Sequence, residues 1–281
     1  MSKKVGTLVF AFFLFVLIFE IRYYIAGLTA KKVSGYSPPL TMATLGSSMK
    51  PSAMNHPNVV PPKAVPILYY HSVKLEAGNE LRMPPDQFEE QMTYLKDNGF
   101  ESITLEQFYQ AQNFGGALPK KPFVITFDDG YADNYTTAFP ILKKHGFTAG
   151  VFMVTSYING EGFMSWSQLK ELVENGWEIE GHTITHPYLT KENTVTVMSE
   201  LTCSKELLEK ELGCLVNFFA YPYGDYNESV AQIVRNTGYK MAITTERGWA
   251  NNSDTWNLHR VYCYANMGLN EFSRRLINPN Y

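Results

Sequence analysis

From Val65 to the C-terminus the chain alternates short apolar runs with helical patterns, and that alternation leaves few folds open. Strands are expected over Val65 to Tyr70, Phe123 to Phe127, Thr148 to Val154, Trp177 to Glu180, Leu215 to Tyr221, Met241 to Thr245 and Arg260 to Tyr264. Helices are expected between them, over Asp86 to Asn98, Asn134 to His145, Ser167 to Asn175, Val195 to Leu212 and Glu228 to Asn236, with a last one over Asn270 to Ile277. Strand-then-helix order calls for parallel strands joined by helical crossovers. Eight or so such units in about 220 residues predict an α/β fold closed, or nearly closed, into a barrel. In such a barrel the chemistry belongs at the C-terminal ends of the strands.

Residues ahead of that pattern set the compartment. Val5 to Phe19 are uncharged and mostly apolar, follow Lys3 and Lys4, and resume as Ile21 to Leu28 after Glu20. The run lies at the top of the range for a signal-peptide core and below the roughly 18 residues of a clean membrane span. Leu28-Thr29-Ala30 puts a leucine where a cleavage site prefers a small residue, which favours an uncleaved anchor over a cleaved signal. With Lys3 and Lys4 held inside, the remainder faces outward. The expected organisation is 1–30 as cytoplasmic tip and signal-anchor or signal peptide, 31–63 as a Pro- and Ser-rich linker, and 64–281 as the folded domain, in the cell envelope and outside the cell. The membrane is thus a partner through the N-terminal segment.

Composition removes other classes. With 45% apolar and 18% charged residues the chain is an ordinary folded protein, and a net charge of −3 offers no electrostatic footprint for nucleic acid. The first of the three cysteines is Cys203, so no lipid is attached at a cysteine beside the signal, and Cys203, Cys214 and Cys263 have neither the number nor the spacing of a disulfide framework or a zinc ribbon.

Four strand ends carry polar groups. One reads Thr126-Phe127-Asp128-Asp129-Gly130. Adjacent carboxylates repel unless a proton or a cation sits between them, and a metal would supply that charge; read alone, the segment is equally an Asp-Gly turn with two solvated acids. A second continues Gly181-His182-Thr183-Ile184-Thr185-His186. On an extended chain the two histidines would stand about 13 Å apart, so the segment must turn if both hold one ion. Two histidines and a carboxylate leave metal positions open for water and substrate, whereas an isolated pair at this spacing is more often a surface feature. The remaining ends are Phe219-Ala220-Tyr221-Pro222-Tyr223-Gly224 and Tyr69-Tyr70-His71-Ser72, which read alone are a rigid turn and a hydrogen-bonded rim.

Together TFDDG, HTITH and FAYPYG resemble the polysaccharide deacetylase family, carbohydrate esterase family 4, with its NodB-homology domain, over roughly Val65 to Ile277. The resemblance implies a distorted (β/α) barrel and metal-dependent removal of acetyl groups from N-acetylated sugars, with one divalent metal, usually zinc, cobalt and nickel being the alternatives. It makes Asp128 the general base, Asp129, His182 and His186 the metal ligands, and the backbone N–H of Tyr223 a donor to the tetrahedral oxyanion.

Two departures from the family pattern matter. Ala220 stands where an arginine usually pairs with the base, and Arg260 looks like its substitute. Leu258-His259 is one residue short of the C-terminal Leu-x-His that often supplies the general acid, so His71, similar to the N-terminal histidine of the branch acting on poly-N-acetylglucosamine, is preferred over His259. Trp166 matches the family's groove tryptophan, although Ser165 replaces the usual aspartate, and with Leu258 it is expected to wall the acetyl and sugar site. The expected substrate is an extracellular N-acetylglucosamine polymer, either peptidoglycan or an exopolysaccharide. The rivals are an acetylxylan-type O-deacetylase of the same fold and an inactive glycan-binding homologue.

Overall fold

The computed structural model describes residues 64–251 and 255–281; the expected membrane segment and linker lie outside the described residues. In chain order the elements are β1 Ala64–Val65, β2 Ile67–Tyr70, α1 Pro85–Asp97, β3 Glu101–Ser102, α2 Leu105–Phe114, β4 Pro122–Asp129, α3 Phe139–His145, β5 Gly150–Met153, α4 Trp166–Glu174 and β6 Glu178–Gly181. They continue as α5 Thr194–Leu212, β7 Phe218–Ala220, α6 Glu228–Asn236, β8 Met241–Arg247, β9 Ala250–Asn251, β10 Leu258–Tyr262 and α7 Leu269–Arg275.

Seven strands close the barrel in the order β2-β10-β8-β7-β6-β5-β4, and β4 pairs back onto β2. All of these pairings are parallel. The expected eight or so units therefore become seven. The additional strands are two-residue pieces outside the ring: β3 lies along the start of β4, and β1 pairs with β9 antiparallel.

Alternation along each strand builds two cores. Val124, Phe152, Phe218, Ala220, Ile243 and Leu258 cluster within the barrel, while Ile125, Phe127, Val151, Ile179, Phe219 and Val261 cluster with the helices outside it. Helix α2, which the strand-helix reading missed, adds Leu105 and Phe108 to the inner cluster. Its N–H groups at Leu105 and Glu106 donate to the Glu178 carboxylate at 2.6 and 2.9 Å, so it lies at the end of the barrel where β6 begins. Its local signal is a capping box: Thr104 accepts from Gln107 N–H while the Gln107 side chain accepts from Thr104 N–H. The same box, Ser165 with Gln168, starts α4 at Trp166 rather than at Ser167.

Candidate active site

Asp128 and Asp129 end β4, the longest strand of the barrel. Asp129 has a left-handed backbone (φ 71°), followed by Gly130 (φ 87°), where a Cβ would overlap the Met153 sulfur. Only glycine fits there, and the turn it permits follows directly on the two carboxylates.

Arg260 reaches Asp128 from β10. It is fully buried, and its guanidinium donates to both carboxylate oxygens at 2.7 Å. Nε donates to the Thr244 carbonyl at 2.9 Å, and the Tyr69 ring lies 4.1 Å from the guanidinium carbon. Burial by itself would raise the Asp128 carboxyl, but the charge and hydrogen bonds of Arg260 outweigh it and bring it down to about 2. The acid is ionised at any physiological pH.

Beside it, His182 and His186 turn their Nε2 atoms to within 3.2 Å of each other. Asp129 Oδ1 stands 3.6 Å from the first and 3.5 Å from the second. The loop reverses without helix, through left-handed Thr183 (φ 70°) and His186 (φ 60°). His182 Nδ1 lies 2.7 Å from the Ala220 carbonyl, an arrangement that places the proton on Nδ1 and leaves Nε2 bare. Two imidazole nitrogens and a carboxylate oxygen, all within 4.8 Å of one another, form a group that could hold a cation between them. The donor set therefore fits a divalent cation of the zinc class, with nitrogen and oxygen ligands and positions left open. A second carboxylate ties this loop to the next: Asp225 accepts from Thr190 N–H at 3.1 Å and from its hydroxyl at 2.7 Å.

The remaining expected residues divide. His71 is at this rim, edge-on to Tyr69 at 5.8 Å, with Nδ1 buried and unpartnered. Burial lowers its pKa, with the charges of Asp128 and Asp129 opposing. Its backbone is held from the residues after β4: Asn134 donates to the His71 carbonyl at 2.8 Å, and Asp133 accepts from Ser72 Oγ and Val73 N–H at 2.6 and 2.8 Å. His259 is half exposed and pairs with Glu246 at 3.0 Å instead. Tyr223 has a left-handed backbone (φ 61°), and its ring stacks on Tyr188 at 4.0 Å and meets His186 edge-on at 4.4 Å. Trp166 packs on the outer core at the start of α4, whereas Leu258 opens β10 opposite Ile243 and is buried in the inner cluster.

Three neighbours escaped the motif reading. Tyr69 covers Arg260, two residues before His71. Tyr131 directly follows the Asp-Asp-Gly turn, and burial followed by the charge of Asp129 pushes its phenol up to about 12. Tyr188 follows His186 by two residues. An aromatic beside each motif was the available signal.

Known proteins are similar to this chain. The family profile described as Polysaccharide deacetylase matches residues 115–242. The protein YxkH of Bacillus subtilis (strain 168) is 38% identical over 201 residues, 71% of each chain. Poly-beta-1,6-N-acetyl-D-glucosamine N-deacetylase of Staphylococcus aureus (strain MRSA252) is 32% identical over 209 residues, 69% of this chain and 71% of its own. Among solved structures, Streptococcus pyogenes deacetylase PplD in complex with acetate superposes with a TM-score of 0.73 at 29% identity, covering 76% of this chain and 99% of that one. The profile spans β4 to the start of β8, which carry the paired acids and the two histidines, and the likeness to the relatives extends over most of both sequences: the chain belongs to the polysaccharide deacetylase family of hydrolases.

Proposed function

We propose that this protein hydrolyses the acetamide of N-acetylglucosamine units in a polysaccharide outside the cell, of poly-N-acetylglucosamine or peptidoglycan type. One observation carries the reading: a buried, arginine-paired and ionised Asp128 stands next in sequence to Asp129, whose carboxylate meets His182 and His186. A proton acceptor beside a cation site is what amide hydrolysis needs. The Staphylococcus relative is named for an N-acetylglucosamine polymer, and the Streptococcus structure holds acetate, the product such a reaction releases.

Asp129, His182 and His186 would hold the divalent ion, zinc first, and when bound it would polarise the acetyl carbonyl and make a neighbouring water more acidic. Asp128 accepts the proton of the attacking water at a carboxylate oxygen, and Arg260 keeps that oxygen ionised until then. Tyr223, through its backbone N–H, donates to the oxygen that becomes negative at the tetrahedral stage. An amide nitrogen leaves poorly as an anion, so it must be protonated as the C–N bond breaks; His71 is the donor we assign, with Asp128 and Asp129 offsetting part of the cost of charging it. Trp166 and Leu258 are assigned to binding the sugar and its acetyl group. Residues 1–30 as membrane anchor and 31–63 as linker complete the reading, with residues 64–281 facing outward.

The test is acetate release from purified poly-N-acetylglucosamine, peptidoglycan and acetylxylan, with metal content measured on the same preparation. Acetate from a glucosamine polymer, lost on chelation and restored by zinc, supports the reading. Release from acetylxylan alone would make the protein an O-deacetylase, and glycan binding with neither acetate nor metal would make it a binding protein.

A further inference from the structure

Helix α5 carries a buried acid that the chemistry above does not use. Glu200 is 8% exposed. One of its carboxylate oxygens accepts the Ile184 N–H at 2.7 Å and the Thr185 N–H at 2.9 Å, and the other accepts the Thr185 hydroxyl at 2.8 Å. These donors belong to the two residues between Thr183 and His186, both of which hold left-handed backbone. A non-glycine residue there costs on the order of 1 kcal/mol or more and persists only where its surroundings over-determine it.

The loop is gripped from three sides. Thr183 Oγ1 accepts the His186 N–H at 3.0 Å, and Thr155 and Ser156 donate to the Thr183 and Ile184 carbonyls at 3.2 and 3.0 Å. Glu200 supplies the third hold. It stands on a 19-residue helix fixed in the core through Val197, Leu201 and Leu208, so its carboxylate is set by packing and not by the loop it grips. A carboxylate suits the task because it only accepts: its two oxygens take three donors with no N–H of their own to turn away.

We propose that Glu200 is a positioning residue for the metal centre, holding Ile184 and Thr185 so that His182 and His186 aim at a common point with Asp129. The proposal rests on the reading that these three residues bind a divalent ion. Its distinct content is that Glu200, although it touches none of the three, sets their affinity for that ion.

Zinc affinity of the full chain, read by competition with a chromophoric chelator, tests this alongside thermal unfolding of the apo and zinc-loaded forms. Glu200→Ala is expected to weaken zinc binding roughly ten- to a hundredfold, the usual effect of removing a group that orients a metal ligand. Thr185→Val, which deletes one donor of three, costs less than about tenfold on the same scale. Glu200→Gln, whose amide oxygen still accepts both N–H groups, recovers most of the affinity. Zinc should also raise the unfolding temperature of Glu200→Ala by less than that of the wild type, since weaker binding stabilises less. A purely structural anchor predicts otherwise: unchanged zinc affinity in every variant, with apo and loaded unfolding temperatures lowered equally, and that result overturns the proposal. Should Glu200→Ala not fold, the other two decide, weakened binding in Thr185→Val supporting the proposal and wild-type binding in both overturning it. Failure of the wild type to bind zinc would be a different result, removing the metal reading itself.

Discussion

Strands β4 and β6 each carry two acids, and the two pairs ionise in opposite directions. Asp128 and Glu180 occupy the same row of the sheet, separated by Phe152 on the strand between them, and each is 3% exposed. Burial pushes both up. For Glu180 it prevails, helped by the charge of Glu178, because its partners are the backbone N–H groups of Asn217 and Phe218. Burial likewise brings Glu178 up to about 7 against hydrogen bonds from Leu105 and Glu106. On β4 a full positive charge reverses the outcome, and Asp128 falls to about 2. Depth in the barrel thus does not decide the charge of these two acids: the guanidinium in contact with Asp128 holds it ionised, whereas the two backbone N–H groups at Glu180 do not offset its burial.

If that contrast underlies the chemistry, removing the charge on β4 should have the largest effect. Asp128→Asn is expected to lower turnover about a thousandfold, within the range for loss of a general base, with bound metal unchanged by elemental analysis. Full activity would show that the β4 pair contains no base. Arg260→Met makes β4 resemble β6. Unfolding should become easier by about 3 kcal/mol, as when a buried ion pair loses one member. The Asp128 carboxyl, no longer held down, should rise, so the acidic limb of kcat/KM moves to higher pH; an unmoved limb would remove Arg260 from the mechanism.

His71→Ala should cost about a hundredfold in turnover, the lower end of general acid catalysis, while His259→Ala, remote in its pair with Glu246, costs little. A reversed order would reassign the acid. The effect on β6 is read in stability and not in turnover. A carboxyl raised from 4.5 to about 7 favours the fold while protonated, so its contribution is complete below pH 4.5 and is lost as pH climbs through 7. Glu178→Gln should abolish that loss, a gain at pH 8 relative to pH 5 of at most about 3 kcal/mol. Chemical denaturation at the two pH values measures it, and an equal difference in wild type and variant would mean Glu178 is ionised in the fold.

How legible this was in the sequence depended on distance along the chain. TFDDG and HTITH could be located locally, at the ends of apolar strands, but each alone was as well a turn or a surface pair, and only their combination pointed to the site. Arg260 lies 132 positions from Asp128, and nothing near Leu258-His259-Arg260 marks it as the partner; only the resemblance, with its missing arginine at Ala220, pointed there. Glu200 was invisible for the same reason, a polar residue on an otherwise ordinary helix. Helix α2 hid differently: its capping box was in plain view, but it packs against an end of the barrel instead of between strands, so the strand-helix rhythm had no place for it. The seven strands named from the sequence are those of the ring, so eight or so units was an overcount; the two-residue strands were not foreseen, because their pairing depends on neighbours and not on their own composition.

The closure of the ring by β2 has a mechanical consequence. Ala64 begins the described chain, three residues ahead of β2, and β2 is hydrogen-bonded on one side to β4 and on the other to β10. His71 follows the opposite end of the same strand. A pull along β2 would load two parallel ladders in shear, all their bonds together, rather than peel them one at a time. Held on both sides in this way, β2 resists a pull along its length better than an edge strand would.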